Sequence, residues 1–215
     1  YPLIALDEDG NKVWGALSRW YAGSLARCGD YLYTVNDREA RQGAYTTEDA
    51  ERACEIQLIR LDPATGREVP FPDGQSKHAI ATWTPYTEGV ARKWEGWTIE
   101  HKAHNADWIG INPQGLAAVD DTLFLSLHYQ DMLLKIDAET GTVKGEIALP
   151  DPSGLASDGK RLLAVSGTRV VEVNPVDGSA APVITNGLSA PVGLALDAQG
   201  NVYVSDWADQ MCVKV

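Results

Sequence analysis

The sequence predicts an all-β fold of repeated four-stranded antiparallel units, and three observations carry that expectation. The tripeptide Gly-Leu-Ala recurs at Gly115, Gly154 and Gly193, 39 residues apart each time. After each copy come a polar turn and two further β-type runs. No stretch holds the i, i+3, i+4, i+7 apolar pattern over the dozen residues that a helix needs. Four short strands per roughly 40 residues, separated by Gly, Asp and Asn turns, mark a blade of a β-propeller. A β-sandwich of similar strands is the alternative, but it gives no reason for the same start to return at a fixed period.

The elements follow in order along one domain, residues 1–215. Residues 1–7 align with a third strand and 11–17 with a fourth, so 1–17 are remnants of a blade. A blade is expected over 24–72. In it Ser24-Leu25-Ala26 takes the place of Gly-Leu-Ala, Leu32 to Asp37 form the second strand and Ile56 to Asp62 the third. A charged insertion, 38–53, interrupts it. The sequence is irregular from about Arg67 to Gln114, and 73–114 reads either as one long insertion or as a degenerate blade. His78 to Trp83 look like a strand within it. Blades then follow at 115–150, 154–185 and 193–215. The last lacks a fourth strand, whereas the N-terminus brings a third and a fourth. One strand is redundant if the ring closes, so the expectation is an incomplete ring or part of a longer propeller.

Composition narrows the partners. There are 30 Asp+Glu against 18 Lys+Arg, a formal net charge of -12. Such a surface repels phosphate backbones and anionic lipid, which disfavours nucleic acid and membrane surfaces. No apolar run approaches the roughly 18–20 residues of a membrane span. Three cysteines, Cys28, Cys54 and Cys212, give no disulfide framework, no zinc spacing and no CxxCH haem attachment motif. The strand register puts Cys28 and Cys54 at opposite ends of one blade, too far apart to bridge. No Asn-X-Ser/Thr sequon is present, which disfavours a glycosylated eukaryotic surface protein. The placement expected is extracytoplasmic, periplasmic or secreted.

Pro191-Val-Gly-Leu-Ala-Leu-Asp-Ala-Gln-Gly-Asn-Val-Tyr-Val-Ser-Asp206 resembles an NHL repeat. Asp137 to Val143 and Asp62 to Gly66 resemble turns of YVTN and quinoprotein propellers, and Leu6 to Trp14 resembles the latter too. The likeness covers about two thirds of the chain. It implies architecture rather than activity, since such folds host binding proteins, lyases, lactonases and dehydrogenases alike.

Topology assigns a functional face. Strand-one-to-two and strand-three-to-four turns share one side of the disc, and all of them are short. Both insertions fall on the other side, if 67–114 is a loop, and long structured loops on a rigid scaffold are where binding and catalysis sit. Trp94, Trp97, Trp108 and Trp207 map there as candidate ligand-binding residues, with Arg38; indole faces suit sugar rings and hydrophobic partners. The alternative is that these Trp side chains pack the insertion onto the disc. The catalytic candidates are Asp37, Arg41, His104, His128 and Asp206. His104 or His128 pairs with Asp37 or Asp206 for acid/base work, and Arg38 or Arg41 serves as an anion clamp. His101 and His104, spaced i, i+3, with His128 are candidate ligands for a transition metal. Asp37, Asp131, Asp206 and Asp209 are candidate Ca²⁺ ligands, although lone propeller acids more often cap turns. No GxSxG, Walker or GxGxxG motif stands out. Two function classes stay open. One is a binding or scaffold propeller that grips a protein or glycan on the insertion face. The other is an enzyme using that face, such as a polysaccharide lyase, a lactonase, or a quinone- or metal-dependent dehydrogenase.

Overall fold

A computed structural model describes residues 3–16, 24–38, 54–83, 113–207 and 211–214. Among the described residues it shows the expected all-β architecture: blade-like antiparallel sheets whose first strands lie side by side in series, with no closed barrel. A hairpin, β1 (Leu3–Leu6) and β2 (Lys12–Ala16), comes first. Blade 1 is β3 (Leu25–Cys28), β4 (Tyr31–Arg38), β5 (Cys54–Leu61) and β6 (Lys77–Trp83). Blade 2 is β7 (Pro113–Val119), β8 (Thr122–Leu127), β9 (Met132–Asp137) and β10 (Val143–Ala148). Blade 3 is β11 (Pro152–Ser157), β12 (Leu162–Ser166), β13 (Arg169–Val173) and β14 (Ala180–Ile184). Blade 4 is β15 (Pro191–Leu196), β16 (Val202–Asp206) and β17 (Met211–Lys214). Every neighbouring pair within a sheet is antiparallel. Among the described residues the only helical element is a single 3₁₀ turn, His128–Gln130, and no helix is long and apolar enough to cross a membrane.

The recurring glycine has a steric cause. First strands of successive blades lie side by side, and a Cβ on Gly115 would sit 2.5 Å from the Leu155 amide nitrogen and 2.7 Å from Ser153 O. A Cβ on Gly154 would sit 2.5 Å from Val192 O. Both obstacles are backbone and cannot swing away. Ser126 Oγ accepts the Gly115 amide at 2.8 Å and donates to Ser153 O at 2.6 Å, so one buried hydroxyl ties blade 2 to blade 3 at this point.

Side chains alternate between the two faces of each sheet, and three cores form where facing blades meet. Ala26, Tyr33 and Val35 of blade 1 pack with Leu116, Leu123 and Leu125 of blade 2. Ala117, Phe124 and Leu133 of blade 2 pack with Leu155, Leu162 and Ala164 of blade 3. Leu163, Val165 and Ile184 of blade 3 pack with Val202 and Val204 of blade 4. The short-turn side adds polar ties. Tyr33 Oη donates to Ala138 O at 2.8 Å, and Cys28 Sγ donates to Asp120 O at 3.2 Å. Cys28 is free and buried, and burial pushes its thiol pKa up, which keeps it protonated and unreactive. The ladder puts Cys28 opposite Tyr31 at one end of the sheet and Cys54 opposite Trp83 at the other, as the expected register requires.

Blade 1 runs longer than its expected span of 24–72, because its fourth strand is β6 and ends at Trp83. The chain first turns at Asp62, bridges Leu61 to Glu68, and turns again where Phe71 N donates to Gln75 O. Arg60 holds this excursion. Its buried guanidinium lies 4.5 Å from the Tyr31 ring centre and 4.7 Å from that of Phe71, and donates to Pro70 O. Strands β4 and β5 also reach further than expected, pairing as far as Arg38 with Glu55. Whether 84–112 form a blade lies outside the described residues.

The hairpin β1–β2 occupies the place of a third and fourth strand in a preceding blade. In blades 2 and 3 the glycine of the strand-three-to-four turn abuts the previous fourth-strand region: Gly141 faces His78 and Phe71, and Gly178 faces Ile147. Gly66 of blade 1 abuts Trp14 of β2 in the same way, and Trp14 Nε1 donates to Pro63 O at 2.8 Å.

Two predictions follow from this packing. Gly154→Ala forces backbone apart and should lower stability by about 1–3 kcal/mol. Gly193→Ala meets only the movable Ser205 side chain and should cost less, and urea unfolding of the two variants gives the comparison. The second concerns acid. Asp137 is lowered from 3.8 to about 2, chiefly by Lys144, whose Nζ lies 2.7 Å away, and by the Thr140 amide. A depressed carboxylate stabilises the fold above its unfolded pKa and loses that contribution as pH falls through the folded one. Asp137→Asn should therefore be less stable than wild type at neutral pH. The difference should shrink as pH drops from 3.8 towards about 2. Thermal melts across that window measure it.

Candidate functional site

The insertion face is where strand-two-to-three loops and blade-to-blade connections meet, and hydrogen bonds join them there. The 3₁₀ turn after β8 carries His128 and ends at Asp131, whose φ of 55° is in the left-handed region that Asp tolerates. Asp131 O accepts the Leu149 amide, and its Oδ1 accepts the Asp151 amide at 2.7 Å. Asp151, also left-handed at φ 50°, accepts the Gly167 amide of blade 3. Ser166 Oγ donates to Pro150 O at 2.6 Å. Blade 4 repeats the scheme. Asp206 Oδ2 accepts the Ser189 amide at 2.7 Å, Oδ1 accepts the Ala190 amide at 3.0 Å, and Trp207 N donates to Ala190 O at 2.9 Å.

The register relates the candidates to one another. With first strands aligned on Leu25, Leu116, Leu155 and Leu194, the positions of Asp37, His128, Gly167 and Trp207 are equivalent. Asp37, His128 and Trp207 therefore occupy one rim, as topology predicts. His128 is half-buried, with Nδ1 3.2 Å from Pro152 O and 3.4 Å from Asp151 Oδ1. Its nearby carboxylate is Asp151, a residue the sequence reading did not select, rather than Asp37 or Asp206. Asp206 is 3% exposed and bound to two amides, so its carboxylate holds the loop entering blade 4. Trp207 is 77% exposed. Gln130, beside His128, buries both amide atoms with no hydrogen-bond partner. Asp37 and Arg38 are described as backbone in β4. Arg41, Trp94, Trp97, His101, His104, Trp108 and Asp209 lie outside the described residues.

Among the described residues no three His, Cys, Asp or Glu side chains gather to hold a metal. Of the Ca²⁺ candidates, Asp131 and Asp206 are engaged with backbone amides. The His101, His104 and His128 set has only His128 within the described residues.

The sequence reading also left unnamed the residues that line the central channel. Residues 25–27, 116–118, 155–157 and 194–196 bound a cavity of about 340 Å³ between the first strands. Its wall is Leu and Ala, with Arg27 and Ser157 as polar members. The signal was present, since the Leu and Ala of each repeated Gly-Leu-Ala belong to this wall.

No family model matches the sequence, and no curated protein matches it. Solved structures resemble the fold. Glutaminyl cyclase of Myxococcus xanthus is 14% identical with a TM-score of 0.51, over 95% of this chain and 76% of that one. A protein of unknown function from Bacteroides thetaiotaomicron is 12% identical with a TM-score of 0.57, over 95% of this chain and 50% of that one. Another from Bacteroides caccae is 11% identical with a TM-score of 0.51, over 100% of this chain and 85% of that one. This chain thus spans about half the length of one such structure and more of the other two. At these identities the likeness shows the fold alone.

The geometry of Asp206 yields a test. Asp206→Ala leaves two amides without their acceptor and should destabilise by about 1–3 kcal/mol. Hydrogen exchange should accelerate first at Ser189 and Ala190, and unchanged exchange there would show that the carboxylate does not hold the loop.

Proposed function

We propose that this protein is a binding propeller that holds a protein or glycan ligand on the insertion face, at the rim carrying Asp37, His128 and Trp207. The observation that carries this reading is Trp207. Its indole is 77% exposed, while its backbone is pinned by the bond to Ala190 and by the buried carboxylate next to it. A flat aromatic face offered from a fixed backbone binds at small entropic cost, and it suits both sugar rings and apolar protein surfaces. Arg38, Trp94, Trp97 and Trp108 complete the surface in this reading. The NHL-type repeat and an extracytoplasmic setting accord with it. The enzyme alternative has one supporting feature, the His128 and Asp151 pair, and His128 already faces Pro152 O.

The test compares wild type with Trp207→Ala against an oligosaccharide array and a peptide display library. Binding by wild type should weaken about tenfold or more in the variant. Its melting temperature should hold, because an exposed side chain contributes little to the core. Equal binding by the two proteins would remove Trp207 from the site.

A further inference from the structure

Asparagine is chemically labile where the backbone amide that follows it can attack its side chain. That ring closure needs a following N–H and backbone room to bring the two groups together. Most described asparagines lack one or the other. Asn36 lies inside the β4–β5 ladder, opposite Gln57. Asn174 precedes Pro175, which has no N–H. Asn11 and Asn201 precede the bulkier Lys12 and Val202, and each donates its side-chain amide to a carboxylate, Asp7 at 3.1 Å and Asp197 at 2.6 Å. Asn186 differs on every count. It is exposed in the connection between β14 and β15, Gly187 follows it, and its Nδ2 donates to the exposed Thr185 hydroxyl at 3.2 Å. Gly187 is exposed too, lies outside every strand at a φ of 83°, and donates no backbone hydrogen bond among the described residues. A Cβ built on it would meet nothing within 4 Å, so the space around the pair is open.

We propose that Asn186-Gly187 is a self-modification site, at which the folded protein converts Asn186 to isoaspartate and aspartate without an enzyme. The Gly187 nitrogen gives up its proton to hydroxide and attacks Asn186 Cγ. An N–Cγ bond forms, the Cγ–Nδ2 bond breaks, and Nδ2 takes a proton from water and leaves as ammonia. Water then opens the succinimide. Opening at the Asn186 backbone carbonyl leaves isoaspartate, with the chain running through Cβ and Cγ; opening at Cγ leaves aspartate. The sum is one water consumed and one ammonia released, with no change of oxidation state. Asp73, Asp158 and Asp177 also precede glycine, but hydrogen bonds from Gln75, Arg161 and Ser179 hold their carboxyls below the usual range, and an ionised carboxylate resists a nitrogen nucleophile. The anchoring of the connection gives the product its consequence. Ile184 is buried, and Leu188 packs against the same core of blades 3 and 4. Asp206 holds the Ser189 and Ala190 amides that come next. Isoaspartate puts an extra backbone atom between Ile184 and Leu188, and the longer path loosens the hold of Asp206 on the entry to blade 4. This stands independently of any ligand at the rim.

Ageing the native protein in mildly alkaline and mildly acidic buffer tests this, with isoaspartate scored by enzymatic methylation and by mass spectrometry of digested samples. The peptide carrying Asn186 should gain isoaspartate, several-fold faster in the alkaline buffer. The peptide carrying Asn174 should stay unchanged, and Asn186→Gln should lose the signal. An Asn186 peptide that stays intact in the native protein overturns the proposal, and conversion of a urea-unfolded sample run in parallel would then show that the fold protects it. Methylation that persists in Asn186→Gln overturns it as well. Hydrogen exchange at Ser189 and Ala190 should be several-fold faster in aged than in fresh wild type. Asn186→Asp gains the charge without the extra backbone atom and should exchange as fresh wild type does. Equal exchange in aged and fresh protein would overturn the loosening of the connection.

Discussion

The close approach of the first strands is the constraint on which the rest of this structure depends. At Gly115 and Gly154 the neighbouring blade's backbone stands where a Cβ would be. That contact sets the distance between blades, and the distance decides which side chains fit between sheets. Leu, Ala, Val and Ile with the rings of Tyr33, Phe71 and Phe124 fill the three described cores, and Ser126 is admitted because it bonds to backbone on both sides of the gap. A larger residue at the glycine would separate the sheets and open every layer behind it.

Part of the acidic composition follows from the turns. Asp62, Asp137, Asp158 and Asp197 each accept hydrogen bonds from backbone amides or neighbouring side chains, and each has its pKa lowered by them. Asp7 and Asp197 even share one arrangement, a carboxylate accepting both the amide and the side chain of an Asn four residues on. A blade needs several tight reversals, and Asp and Asn stabilise them locally. Repeating the blade therefore adds turn carboxylates with each copy.

How legible the fold was depended on whether a feature is local. First strands were readable because Gly-Leu-Ala recurs and because each strand is bounded by its own turn residues. The fourth strand of blade 1 was not readable. His78 to Trp83 looks like a strand, but its pairing with β5 depends on Arg60 lying between Tyr31 and Phe71, residues far apart in sequence. The same divide runs through the site. The rim shared by Asp37, His128 and Trp207 follows from strand alternation alone. The proximity of His128 to Asp151 depends on how the loop of blade 2 meets the connection to blade 3. The engagement of Asp206 was half legible, since a propeller acid commonly caps a turn, but which amides it would hold required coordinates.

The two sides of the disc divide the work in a way that bears on function. On the short-turn side, Cys28, Tyr33 and Arg60 of blade 1 all reach carbonyls in blade 2 turns, so the turns themselves are part of the blade-to-blade bonding. Lengthening the blade 2 turns at Asp120 or Ala138 would break these ties. On the insertion side the ties come from residues at the strand ends, Asp131, Ser166 and Asp206, which seize the connection entering the same or the next blade. Those bonds close before the loop proper begins. Chain inserted beyond Arg38 or before Cys54 consequently leaves the ladder of β4 and β5 intact, as its seven pairs from Leu32 with Leu61 to Arg38 with Glu55 show. The short-turn side also carries one long connection, 62–76 between β5 and β6, and there Arg60 supplies the anchoring between Tyr31 and Phe71.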